Sequence, residues 1–315
     1  SAEAAVYKEA QVNPSGLLLR SSISYSAADR MASSKAAFKQ WSSLLVKNMN
    51  ESIRKHIEVG LLYGQTPLAQ VSGSPTTSSN AATCTIAAAD WAEGLWAGME
   101  GARVDVWATD GTTNRTNDST TAAYISAVDF DNRTVTIECA NSTDAGNIAN
   151  TDYIYFDSDF ASGGSYNNFA GLKKIATNSG SLFNISAATY GLWKGVEYAV
   201  GSANLTLGKI LKATAKAANR GLESNMCICV NPDTFATLGN DEAALRRHSG
   251  KVGKTENGVE ALQFHFGGVS IDMIQHRYVK GGDAFGFPKD KMMRIGATDV
   301  TFRLPGAEPD RVFLH

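Results

Sequence analysis

The sequence predicts an α+β protein, and three observations carry that prediction. Apolar residues recur at helical spacing between residues 34 and 62, alternate at period two in short runs between 81 and 165, and then follow both periods in turn. A long helix, a β-rich middle and a mixed remainder are therefore expected in chain order.

Each element has its own signal. In "SGLLLRSSISYS" (15–26) Leu19, Ile23 and Tyr25 alternate with polar neighbours, as in a strand with one covered face. Phe38, Trp41, Leu45, Met49, Ile53, Ile57 and Leu61 then recur every three or four residues, with no Gly or Pro before Gly60. That spacing predicts one amphipathic helix, roughly 40 Å long at the usual helical rise. Ser26 with Asp29, or Ser33 and Ser34, offer caps at its start, while Gly60, Gly64 and Pro67 end it. Its other face, "KNMNESIRKH", is polar.

Residues 66–80, "TPLAQVSGSPTTSSN", read as a linker. Strands follow at "ARVDVWA" (102–108), "AAYISAVDF" (122–130), "RTVTIECA" (133–140) and "DYIYF" (152–156), with a hairpin turn at Asp131-Asn132. Further on, "LTLGKILKATAKAANRG" (205–221) is a helix closed by Gly221, and "NMCICV" (225–230) a buried strand with Cys227 and Cys229 on one face. Asn231-Pro232 opens another helix as N-cap and first residue. "GGVSIDMIQH" (267–276) and "DVTFRLP" (299–305) complete the strands.

The bulk numbers exclude several classes. With 315 residues, 43% hydrophobic and 19% charged, the chain can bury one large core or two modest ones. A net charge of −2 gives no global basic field of the kind a dedicated nucleic-acid module carries. No apolar run is long enough for a membrane span, and the start lacks a signal peptide's layout. Cys84, Cys139, Cys227 and Cys229 are too scattered for a disulfide framework and read as buried free thiols.

No catalytic, cofactor-binding or metal-ligating set emerges. "RRHSGKVGKT" (246–255) ends like a phosphate loop, but His248 stands where the first glycine belongs and a polar helical stretch precedes it. Five histidines show no metal-ligand spacing, and the pairs Asp129/Asp131 and Asp157/Asp159 do not complete a calcium loop. Trp91, Trp96 and Trp107, beside Asp90, Glu93 and Glu100, read as packing for a small β core, with a sugar site as the competing reading. Arg246, Arg247, His248, Lys251 and Lys254 form a basic cluster on a solvated or interfacial loop.

Four stretches carry a resemblance: "HIEVGLLYGQTPLAQVS" (56–72), "NNFAGLKKIATNSGSLFNIS" (167–186), "VNPDTFATL" (230–238) and "GGVSIDMIQHRYVKGGDAFGFPKD" (267–290). In this order and spacing they resemble tailed-bacteriophage major capsid proteins of the HK97-like fold. The resemblance implies an E-loop arm over 1–33, a P-domain spine helix over 34–65 and an inserted β-rich subdomain over 66–165. It also implies more P-domain over 166–199, an A-domain over 200–280 and a return to the P-domain over 281–315 that continues past the last residue.

What it implies of function is assembly without catalysis or cofactor. Copies of the chain form pentamers and hexamers of an icosahedral shell in the host cytoplasm, around packaged double-stranded DNA, with scaffolding, portal and decoration proteins as further partners and no membrane. Leu17, Leu19, Arg20 and Ile23 on the arm, Arg54 and Lys55 on the spine helix, and Arg246, Arg247 and Lys251 on the basic loop are the expected inter-subunit contacts. An encapsulin-type compartment of the same fold and a carbohydrate-binding or adhesion module are the competing readings.

Overall fold

The structure, a computed structural model, describes residues 8–12, 15–16, 35–116, 122–201, 203–239, 253–254, 260–266, 269–293 and 295. The arm strand expected from residue 17 onward, the caps at Ser26 to Ser34 and the strand at 299–305 lie outside the described residues. Those described form a mixed α+β structure with six α-helices and several small, mainly antiparallel sheets.

The long helix, α1, spans Lys35–Tyr63, 29 residues. Its core-facing side differs from the expected stripe. A four-residue step turns a helix about 40° past a full turn, so a row continued from Leu45 through Met49, Ile53 and Ile57 has swung away from the core by Leu61, which is 42% exposed. The side chains that enter the core are Val59, Leu62 and Tyr63. His56, one turn earlier, packs against Phe156 in a tilted ring pair with centroids 4.2 Å apart.

Past Tyr63 the chain turns through Gln65 at φ 60°. A non-glycine residue is uncommon in that region, and Asn168 holds this one at both ends. The backbone N–H of Gln65 donates to Asn168 Oδ1 at 3.1 Å, and its Nε2 donates to the Asn168 carbonyl at 3.0 Å.

The stretch expected as a linker is structured. It supplies β1 (Ala69–Gln70) and β2 (Thr76–Ser78), because both run beside strands that lack a partner on that edge. β1 pairs with β7 (Tyr153–Phe156), itself paired with β4 (Val104–Trp107), in a three-stranded antiparallel sheet. β2 pairs with β3 (Ala81–Thr85) in a four-stranded antiparallel sheet of order β2-β3-β6-β5, completed by β6 (Thr134–Glu138) and β5 (Tyr124–Asp129). The β5–β6 turn falls at the expected Asp131-Asn132, where the Asp129 carboxylate accepts both backbone N–H groups at 3.0 and 3.1 Å.

Short helices α2 (Glu93–Trp96) and α3 (Ser142–Asn147) pack in this β-rich part, and the hairpin β8 (Phe160–Ala161) with β9 (Ser165–Tyr166) ends it. Next come α4 (Leu172–Ala176) and the two-residue hairpin of β10 (Ser181–Leu182) and β11 (Ile185–Ser186). Phe183 and Asn184 turn that hairpin, both at positive φ, as its tight geometry requires.

The C-terminal part is a five-stranded sheet in the order β13 (Gly253–Lys254), β14 (Glu260–Phe266), β15 (Val269–Gln275), β12 (Met226–Val230), β16 (Ala284–Pro288). β12 runs parallel to β15 and antiparallel to β16. Gly253 and Lys254, the residues that resembled a phosphate loop, pair in a β-hairpin with Ala261 and Glu260. Backbone groups committed to that ladder cannot converge on a phosphate.

β12 is buried throughout, and its alternation divides the interior. Met226, Ile228 and Val230 face a cluster closed by α5 (Leu207–Ala218) and α6 (Pro232–Gly239). Cys227 and Cys229 face the other way, into a large core shared with Val59, Tyr63, Trp96, Ile125, Ile154 and Phe285. That core joins the long helix, the β-rich part and the C-terminal sheet in one cluster.

Candidate functional site

The four stretches that carry the resemblance meet in space. Gly64 and Gly171 touch backbone to backbone: the Gly171 N–H donates to the Gly64 carbonyl at 2.9 Å. A Cβ on Gly171 would stand 2.5 Å from Gly64 N and 2.6 Å from the Gly60 carbonyl. A Cβ on Gly60 would meet the Phe169 ring at 2.8 Å. Gly64 and Gly171 are thus required by close approach of main chain, while at Gly60 the Phe169 ring would have to shift.

Beside this contact lies a buried charge cluster. Lys280, 1% exposed, directs its Nζ to Asp90 Oδ1 at 3.2 Å and to the Pro67 carbonyl at 3.1 Å, and sits 4.5 Å from the centre of the Tyr63 ring. Its backbone N–H donates to the Tyr63 hydroxyl at 2.8 Å. Lys173 of α4 pairs with Asp283 at 2.9 Å and lies 5.7 Å from the same ring. Burial drives the Lys280 ammonium below the ordinary lysine range, against the pull of Asp90. Burial, then the Asp283 charge, pushes the Tyr63 hydroxyl upward.

The backbone explains why the turn carrying Lys280 can come so close. Gly281 N–H donates to the Trp91 carbonyl and Gly282 N–H to the Ala89 carbonyl, at 2.9 and 2.8 Å. A Cβ at either position would stand within 2.9 Å of a carbonyl oxygen of the Ala88–Asp90 turn. The third stretch joins through Asn231, whose Oδ1 accepts from Asp233 N–H at 3.0 Å, capping α6 as expected, while its Nδ2 donates to the Val279 carbonyl at 2.7 Å. All three bonding directions of the Lys280 ammonium are occupied, by a carboxylate, a carbonyl and a ring face. The cluster is therefore a buried clamp that locks the end of α1, the Ala88–Asp90 turn, α4 and the 276–283 turn to one another.

The expected contact residues are placed as follows. Arg54 is exposed on α1. Lys55, its neighbour, is held within the chain: Nζ donates to the Ala97 carbonyl at 2.6 Å, and burial with the nearby Arg277 lowers its pKa to about 8. Leu17, Leu19, Arg20, Ile23, Arg246, Arg247 and Lys251 lie outside the described residues. Trp91, Trp96 and Trp107 are 8%, 0% and 8% exposed, so they pack the interior, Trp91 stacked on Trp96 with centroids 5.9 Å apart.

All four cysteines are free and buried. Among the described residues no group of three or more His, Cys, Asp or Glu is placed to hold a metal ion, and no helix is long and apolar enough to cross a membrane. The Lys280 cluster escaped sequence reasoning because a lysine in a turn has no periodicity to betray its burial. The paired glycines of "KGGD" were the available signal.

The chain matches no protein-family model, no curated protein and no solved structure.

Proposed function

We propose that the chain is a shell subunit: a major capsid protein of the HK97-like fold that forms pentamers and hexamers around packaged double-stranded DNA in a virion. One observation carries the reading. Of the side chains described between Ser43 and Arg54 on α1, none is buried, although Leu45, Met49 and Ile53 are apolar and half-covered. A helix segment of that length is marginal in water without a packed face, and a neighbouring copy supplies one. The buried clamp adds support, since it grips the spine helix at its last residue, Tyr63, away from the segment around Leu45 and Met49.

Scaffolding, portal and decoration proteins belong to this reading as further partners. Electron microscopy and analytical ultracentrifugation of the purified chain over a rising concentration series test it. Closed particles are expected; a chain that stays monomeric throughout overturns it. Particles isolated from the producing host that hold protein cargo and no nucleic acid would transfer the assignment to an encapsulin-type compartment.

A further inference from the structure

Helix α5 carries Lys209, Lys212 and Lys216, and Arg220 follows in the turn after it. At about 100° per residue the four fall within an arc of roughly 80°, opposite Leu207, Ile210 and Thr214, which are buried. Lys212, Lys216 and Arg220 are exposed and Lys209 is half-exposed. None of the four makes an ion pair among the described residues, whereas Lys173, Lys280 and Lys289 on other elements are each matched by an aspartate. Two are held out by neutral groups: Lys209 Nζ donates to the Asn204 carbonyl at 2.6 Å and Lys216 Nζ to the Glu197 carbonyl at 2.7 Å.

Helix stability does not account for the stripe. α5 has no acidic residue, and Lys209 sits in its first turn, at the positive end of the helix dipole, where a cation is unfavourable. Only Lys216 and Arg220, at the other end, gain from the dipole. Gly208, Ala213 and Asn219 fill the spaces between the cations, so the helix itself presents on this face no aromatic or large apolar anchor for a protein partner and no ring on which a base could stack. From Lys209 to Arg220 the stripe is about 16 Å long at the helical rise, a length over which one strand of a duplex presents about five phosphates.

We infer that this face of α5 binds the phosphate backbone of duplex nucleic acid without reading its sequence. The inference rests on the proposed shell function for the source of that nucleic acid, the packaged DNA. The contact itself belongs to the single chain.

Fluorescence anisotropy of a labelled DNA duplex of roughly 20 base pairs, titrated with the full-length chain diluted below any assembly threshold at several salt concentrations, measures it. Four phosphate contacts predict a log K against log salt slope of about −3.6. Lys212→Gln with Arg220→Gln, both exposed and neither with a side-chain hydrogen bond or ion pair among the described residues, should make the slope shallower by about two and weaken binding roughly a hundredfold at about 50 mM salt. Lys47→Gln with Lys291→Gln, off the stripe, should stay within about twofold of the parent. Circular dichroism checks that all variants fold.

Absence of duplex binding overturns the inference, as does equal loss in the off-stripe variant. If the stripe variant binds DNA normally but no longer forms particles, the face is a contact between copies and the inference is again overturned. Retained stripe-dependent DNA binding by a chain that never assembles overturns the shell reading alone.

Discussion

Lys280 grips Tyr63 twice: its backbone N–H donates to the phenol oxygen at 2.8 Å while its ammonium lies 4.5 Å from the centre of the same ring. Tyr63 is the last residue of α1, so the grip fixes where the long helix ends. Removing one member of a buried pair strands the other, at a typical loss of about 3 to 5 kcal/mol. Lys280→Ala should therefore lower unfolding free energy by that order in a denaturant titration. Lys280→Met combined with Asp90→Leu, which removes both charges, should recover a large part of the loss.

Gly64→Ala and Gly171→Ala are each expected to destabilise the fold by about 3 kcal/mol or more, because the added methyl meets main chain that cannot move aside. Gly73→Ala is the matching control at a positive-φ glycine with open space, where only the backbone penalty of about 1 kcal/mol applies. Thermal unfolding of the three variants separates steric from conformational effects.

Burial raises the Asp159 carboxyl to about 6, with Asp105 and Asp157 adding to the rise and the Asn168 amide opposing it. Between the ordinary carboxylate pKa and that value the folded state holds a proton the unfolded state has lost. Stability from this group is thus greatest at acid pH and falls as pH rises through about 6. Asp159→Asn should stabilise the protein at neutral pH by about 1 kcal/mol, after allowance for partial exposure, and flatten the stability profile between pH 4 and 6.

Lys55 predicts the opposite arm of the profile. Its folded pKa of about 8 lies below the unfolded value of 10.5, so the unfolded chain binds the proton more tightly in that window and stability rises with pH across it. Lys55→Met should remove that rise in urea titrations from pH 8 to 10.5.

Arg54→Glu separates folding from assembly. The side chain is exposed, so monomer stability should change by no more than about 0.5 kcal/mol. Under the proposed function particle yield should collapse, as seen by sedimentation; unchanged yield would remove Arg54 from the subunit contacts.

Much of the fold is legible in the sequence where a period persists. The extent of α1, the strands β4 to β7, the buried β12 and the Asn231 cap of α6 all follow from spacing or capping chemistry. β1 and β2 do not, because two or three residues in a Ser/Thr-rich stretch are too few to show alternation, and their partners lie far along the chain. The buried side of α1 departs from the periodic row for a geometric reason. Spacing of three or four residues identifies a helix, but an unbroken run of fours drifts around it, so the row through Leu61 left the face that Val59 and Tyr63 occupy. The clamp depended on burying charge in a turn, which no local pattern encodes, and its glycines mattered only for what approached them.

A rod of 29 residues gripped at its last residue is a lever. At the helical rise its other end stands about 43 Å from Tyr63, so a tilt of about 5° at the Gly64 and Gly171 contact swings that end by roughly 4 Å. Whatever packs along Leu45 and Met49 receives that swing magnified, and the two glycines at the fulcrum set the angle.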